Sequence, residues 1–350
     1  MNEHPAPRPA QLSAMLFLCL AVDMAVRPFT GCGAAPAQQA IAAAVLDTAV
    51  VCLLLAPVLH ARRKGIFGAP QGMTAASRLF LGLAALLFAF AGAGAAARTE
   101  QFFRYVSDGP TPRVVFYAVF LAAVFYALHS GLDSLVRVIG LAVTIFLASM
   151  LLMLLSNLGT MRLFRLGTQP FEPLAVLTVA AQGFTLPPEL LLIFLLGMRE
   201  EDNTSSVPVS RTLTALAVFY IALTFCTQAV LGPAAQQQEQ TVHTLSRLGS
   251  ISVFRRLDAM HIAAWVLAEL CKTASLCYGV QYALTPLLPP AQRAYANRYA
   301  IGLLTAALCL SVGLPQEAIR VALTVGTAAL LILFIVYAYG KEARYARKNP

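Results

Sequence analysis

Apolar stretches of roughly twenty residues recur ten times along this chain, at about 11–30, 38–60, 76–97, 114–131, 134–156, 172–198, 209–232, 257–279, 296–314 and 318–340. A helix needs about 20 apolar residues to cross a hydrocarbon core about 30 Å thick. Every backbone polar group in that core must be satisfied within the span, which selects helices. Composition points the same way. Hydrophobic residues make up 59% of the chain and charged residues 12%, and the mean hydropathy is +0.72. A soluble protein carries about 25% charged residues. The 350 residues therefore read as an all-α polytopic membrane protein with ten transmembrane helices, not as two soluble domains. The first stretch meets Asp23 and Arg27 where a signal-peptide cleavage site needs small neutral residues, so it reads as a retained span.

The net charge of +9 is no nucleic-acid signal. The 25 Lys and Arg are scattered over short loops with no basic arm, as topology determinants are. Fourteen fall on one side of the ten spans, including the clusters 62–64 and 341–348. Nine fall on the other, among them Arg98, Arg104 and Arg113. This bias places both termini in the cytoplasm and the chain in the inner membrane of a cell, surrounded by lipid. Six of the seven Cys lie in apolar runs, and the pattern predicts reduced thiols, not a disulfide framework.

Two spans are interrupted. A continuous helix over 172–198 would be about 40 Å long, a third more than the bilayer needs. Its middle reads Gln182-Gly183-Phe184-Thr185-Leu186-Pro187-Pro188-Glu189. Proline removes a backbone donor and clashes with the preceding turn, so this segment predicts two half-helices. Pro187 and Pro188 suit the first turn of the second half, and Glu189 suits the positive end of its dipole. In span 1, Asp23-Met24-Ala25-Val26-Arg27-Pro28 interrupts the apolar run. Asp23 and Arg27 are four apart and can pair on one face. Irregular backbone at membrane depth is tolerated where it lines a cavity. Spans 1 and 6 are corresponding members of two sets of five, the pattern of five-plus-five inverted repeats with broken helices 1 and 6. The chain then forms a single transmembrane domain over 1–350, with repeat one at about 11–156 and repeat two at about 172–340.

Ionisable residues inside spans are costly and face interiors. Asp47 sits in the middle of span 2. Span 8 carries Asp258, His261, Trp265, Glu269 and Lys272. Glu269 and Lys272 are three apart, close enough for a direct pair. They line a substrate or proton pathway, or they lock span 8 to its neighbours. Asp258 and His261 read as residues near the headgroup level. Gly92-Ala93-Gly94 in span 3 reads as close helix packing. No phosphate loop, zinc pair or nucleophile elbow occurs. The chain therefore reads as a non-enzyme with no catalytic residue, metal or cofactor.

Several stretches, in order, resemble one family. Ala10-Gln11-Leu12 opens span 1. Thr99-Glu100-Gln101-Phe102-Phe103 with Pro110-Thr111-Pro112 resembles the family's loop between spans 3 and 4. Tyr126-Ala127-Leu128-His129-Ser130-Gly131-Leu132, with Leu135-Val136-Arg137, resembles its junction of spans 4 and 5. Phe254-Arg255-Arg256-Leu257-Asp258, with Trp265 and Lys272, resembles the signature that opens span 8, with Arg255 where that signature has Glu. The chain thus resembles the B subunit of spore germinant receptors, the GerAB family, a branch of the amino acid–polyamine–organocation transporter superfamily. The resemblance implies a LeuT-like fold. It also implies a membrane subunit that senses a small nutrient, typically an amino acid, with receptor A and C subunits as partners. Substrate positions would come from the broken parts of spans 1 and 6.

On that reading Gly183, Phe184 and Thr185 supply ligand-binding backbone, because half-helix termini attract charged ligand groups. Asp23 and Arg27 read the two charges of a zwitterion, or cancel each other. A proton-coupled amino-acid permease is the alternative function, with Asp47, Glu269 or Lys272 as the titrating group. A scaffold with a vestigial site is the third.

Overall fold

The structure is a computed structural model of the chain, and it describes residues 9–26, 37–63, 75–107, 112–166, 171–197, 209–238, 240–249, 258–311 and 314–348. Arg27, Cys32 and Arg255 lie outside the described residues. Among the described residues twelve α-helices follow one another: α1 (Pro9–Val26), α2 (Ala37–Arg63), α3 (Ala75–Val106), α4 (Arg113–His129), α5 (Leu132–Ser156), α6 (Pro173–Gly183), α7 (Glu189–Gly197), α8 (Val209–Leu231), α9 (Thr241–Leu248), α10 (Asp258–Leu284), α11 (Ala296–Ser311) and α12 (Gln316–Lys348). No β-strand occurs among the described residues.

Among the described residues, five segments are long and apolar enough to cross a membrane by length and composition: Gln38–Ala56, Ala75–Val106, Leu132–Thr160, Arg211–Leu231 and Ala318–Val336. Two more apolar helices, Ala10–Ala25 and Arg113–His129, are shorter. The outward faces are apolar as well. Leu53, Val114, Leu141, Leu174 and Val336 are all exposed. Water would make such a surface an aggregation hazard, whereas lipid accepts it.

Most junctions follow from local chemistry. Gly131 joins α4 to α5 with φ +85°, a left-handed conformation that glycine adopts without steric cost. The segment 172–198 forms two helices, not one. Phe184 turns to φ −59°, ψ 127° after α6, and residues 184–188 are non-helical. Pro187 and Pro188 then supply the carbonyls that accept from Leu190 and Leu191 (3.2 and 2.9 Å) as α7 starts.

One stretch read as a loop is helical. The stretch Thr99–Phe103 belongs to α3, which runs to Val106. Thr99 bonds its own helix by donating to the Ala95 carbonyl at 2.8 Å, and Glu100 is held by Arg104 and Arg113. With its polar groups satisfied in this way, the helix continues past the apolar run. Between α8 and α10, α9 buries Val242, His243, Leu245 and Ser246, so it is packed into the molecule.

The helices sort around α10 and α2. α10 packs on α3, α5, α11, α4 and α1, while α2 packs on α6 and α8. α1 bridges the two groups, touching α5, α8, α10 and α7. Contacts at α10 and α3 are close because they are made at glycines. A Cβ on Gly279 would lie 2.6 Å from Leu192 Cδ1 of α7, and one on Gly92 would lie 2.9 Å from Leu304 Cδ1 of α11. The six described cysteines are free thiols.

Candidate functional site

Four helices converge on one set of charges. α1 brings Asp23, three residues before its last described turn ends. α3 brings Arg98, and α7 brings Glu189 as its first residue. α10 brings Glu269 and Lys272 on one buried face. Glu189, Glu269 and Lys272 are 2%, 0% and 2% exposed, so each must find its partner inside the protein.

Lys272 is the hub. Its Nζ pairs with Asp23 Oδ2, lies 2.9 Å from Glu189 Oε1, and donates to the Cys19 carbonyl of α1 at 3.3 Å. An ammonium has three donors, and here three oxygens from α1 and α7 surround it. Arg98 Nη2 donates to Asp23 Oδ1 at 2.9 Å. Its Nε lies 3.8 Å from Glu269 Oε1 and has no hydrogen-bond partner. Neither carboxylate oxygen of Glu269 has a hydrogen-bond partner.

This arrangement changes two sequence expectations, for Lys272 and for Arg98, and leaves the pairing of Asp23 with Arg27 open. Lys272 does not pair with Glu269, its neighbour one turn away; it reaches out of its own helix to α1 and α7. Asp23 meets Arg98 and Lys272, and the pairing with Arg27 falls outside the described residues. Arg98 is no topology charge at a span end, because its guanidinium belongs to the buried cluster. Glu189 does sit at the N-terminus of a half-helix, but as a ligand of Lys272. Sequence reasoning missed both Arg98 and Glu189 as site residues. The one signal available was a carboxylate directly after a Pro-Pro break inside an apolar run.

Next to the cluster lies a cavity of about 70 Å³. Asp23, Asp47, Thr48, Thr185 and Tyr220 border it, together with apolar side chains such as Met24. The Thr48 hydroxyl is spent on the Ala44 carbonyl at 2.9 Å. Of the residues read from sequence, Asp23, Asp47 and Thr185 therefore share one cavity. Phe184 is partly buried against the core, and Gly183 closes α6. Glu269 and Lys272 stand behind Asp23 instead of on the cavity wall. A mostly apolar cavity with a few convergent polar groups is the usual form of a small-molecule site. Among the described residues no group of three or more His, Cys, Asp or Glu is placed to hold a metal ion.

A second polar region lies under α9. His261, expected near the headgroups, is 3% exposed, and its ring lies 6.4 Å from that of His243. Phe102 of α3 contacts both His243 (5.6 Å) and Trp265 (4.2 Å).

Among curated protein sequences no match reaches significance. Solved structures match over most of the chain. A Na+-coupled sialic acid symporter in a substrate-bound outward-open state aligns with a TM-score of 0.58 at 14% identity, covering 93% of this chain and 78% of that one. A manganese transporter from Eremococcus coleocola aligns with a TM-score of 0.50 at 15% identity, covering 94% and 77%. A variant of that transporter gives 0.51 at 15% identity, covering 95% and 76%. At these identities the likeness is one of fold, the LeuT-like fold of membrane transporters. The spore permease family model, described as spore germination protein, matches residues 77–315, well over half of the chain and including Arg98, Glu189, Glu269 and Lys272. An integral membrane protein with a transporter fold and this match belongs to the spore germination protein family.

Proposed function

We propose that this chain is the nutrient-binding membrane subunit of a spore germinant receptor, and that its ligand is a small molecule such as an amino acid. Support comes from the place where the cavity lies. It sits between α1, α2, α8 and the non-helical segment that separates α6 from α7, with Asp23, Asp47 and Thr185 on its wall. Broken helices at the midplane are where transporters of this architecture hold substrates. On this reading the chain has ten spans in two inverted repeats, at about 11–156 and 172–340, with both termini in the cytoplasm. Asp23 offers a carboxylate to an amino group. Gly183, Phe184 and Thr185 offer backbone groups released by the break, and Arg27 is a further candidate. The receptor A and C subunits are its partners. Ligand binding favours one arrangement of α1 and the α6–α7 break over another, and the receptor reads that shift.

The similar structures are of proteins that handle sialic acid and manganese. At 14% and 15% identity the likeness is one of fold, and neither cargo carries over to this chain.

A thermal-shift screen of the detergent-purified chain against amino acids, sugars and polyamines tests the reading. A true ligand raises the unfolding midpoint in a dose-dependent way, because it binds only the folded state. Thr185→Trp fills the cavity and abolishes that shift while the protein still inserts into the membrane. A shift that survives Thr185→Trp places the ligand elsewhere. A proton-coupled amino-acid permease is the second reading, favoured by the buried charges behind Asp23, with Asp47, Glu269 and Lys272 as candidate coupling groups. Uptake into proteoliposomes driven by a pH gradient separates the two.

A further inference from the structure

The buried cluster treats its carboxylates unequally. Asp23 receives both Arg98 and Lys272, and Glu189 receives Lys272. Glu269 is 0% exposed, and both of its oxygens lack a hydrogen-bond donor. Its nearest cation, the Arg98 Nε, stays 3.8 Å away and is itself without a hydrogen-bond partner. An ionised carboxylate buried without hydrogen bonds is among the costliest arrangements in a protein. A neutral carboxylic acid removes most of that cost. A metal ion is a poor substitute, because the Arg98 guanidinium already stands beside Glu269 and the described residues form no metal-binding group.

We propose that Glu269 is an exchangeable proton site, and that Arg98 sets its occupancy according to where α1 holds Asp23. In the arrangement seen here Asp23 engages the Nη2 end of Arg98 at 2.9 Å, and Glu269 carries a proton. When α1 draws Asp23 away, the guanidinium turns to Glu269 and its Nε closes the 3.8 Å gap. The acid O–H bond then breaks, the proton leaves to water, and a charge-assisted pair forms in its place. The charged groups acting on Glu269 are Arg98 from α3, Lys272 from its own helix, Asp23 from α1 and Glu189 from α7. Lys272 does not replace Arg98 in this exchange, since its ammonium is held by Asp23, Glu189 and the Cys19 carbonyl. Asp23 also borders the cavity, so the proton site and the nutrient site share a residue. By linkage, a ligand that moves Asp23 changes proton affinity at Glu269, and pH changes ligand affinity by the same factor. The inference rests on the proposed function only in that last step.

The test needs no ligand. Infrared spectra of the full chain in lipid nanodiscs are recorded through a pH titration, following the C=O stretch of protonated carboxylic acids. Wild type shows such a band at neutral pH, and it disappears as pH rises. Glu269→Gln, which keeps the shape and neutrality of the acid, removes the band at neutral pH. Asp23→Asn frees Arg98 for Glu269 and also abolishes the band at neutral pH. Should the Gln variant fail to fold, the Asp23→Asn comparison decides. A wild-type spectrum without the band, a band that persists in Glu269→Gln, or a band unchanged in Asp23→Asn overturns the proposal. A nutrient response without the band sinks this inference alone. A band that behaves as stated without any nutrient response sinks only the ligand reading.

Discussion

Arg98 and Glu100 lie two residues apart on α3, yet they belong to different kinds of ion cluster. Residues at that spacing face different sides of a helix. Arg98 points to α1 and α10, where its partners are Asp23 and Glu269. Glu100 points to the α3–α4 junction, where its carboxylate accepts from Arg104 one turn on and lies 3.4 Å from Arg113 Nε. The inner cluster joins four helices, and Lys272, Glu189 and Glu269 within it are nearly inaccessible. In the outer cluster the two arginine side chains are 48% and 53% exposed. Water and salt screen the outer pairs and scarcely reach the inner ones. The inner cluster therefore governs how helices sit relative to one another, and the outer one trims a helix end.

Lys272 is where the contrast breaks most sharply. Lys272→Met leaves Glu189 and Asp23 without the ammonium they share. Removing one partner of a buried pair costs about 3–5 kcal/mol. The expected outcome is a large loss of folded protein, read by thermal unfolding followed through Trp265, the single tryptophan. Adding Glu189→Gln and Asp23→Asn removes the stranded charges and restores much of the loss. If Lys272→Met unfolds at the wild-type midpoint, the cluster is not a structural hub.

The region under α9 lies between these extremes. Burial holds the His243 imidazole below its ordinary range, with Arg247 adding to the effect and Asp258 opposing it. The sign follows directly. Above pH of about 6.5 the ring is neutral in both folded and unfolded chains and costs nothing. As pH falls through that value the unfolded chain takes up a proton that the folded chain resists, so stability drops on acidification. His243→Gln flattens this acid loss, and a pH titration of the unfolding midpoint measures it. An identical acid slope in the variant removes His243 as the cause.

The two clusters also differ in how far the sequence announces them. Asp23, Asp47, Glu269 and Lys272 stand out because a charge inside an apolar run has a high cost and needs a reason. The break in span 6 stands out because Pro187-Pro188 forbids a continuous helix. Arg98 does not stand out, because a charge at the end of an apolar run is what topology alone predicts. Its partner Asp23 lies 75 positions away, and Lys272 meets the Cys19 carbonyl across 253. Periodicity places residues on a helix face but says nothing about which helix covers that face. The pair favoured by spacing, Glu269 with Lys272, lost to partners on α1 and α7 for that reason. The outer cluster has a local part that the inner one lacks, since Glu100 and Arg104 obey the i, i+4 rule once α3 runs through them.

Arg104→Ala gives the smallest effect and completes the contrast. The side chain is half exposed, and Glu100 keeps Arg113 within 3.4 Å when Arg104 is gone. Exposed pairs of this kind contribute about 0–1 kcal/mol, and redundancy pushes the value to the lower end. The midpoint therefore moves little, and the small difference from wild type shrinks further in high salt. Arg113→Ala behaves alike, while the double variant exceeds the sum of the two, because only then is the buried Glu100 carboxylate left without a cation. A single-variant loss as large as that of Lys272→Met would mean that the α3–α4 junction is part of the structural hub and that exposure is no guide to which of these charges matter.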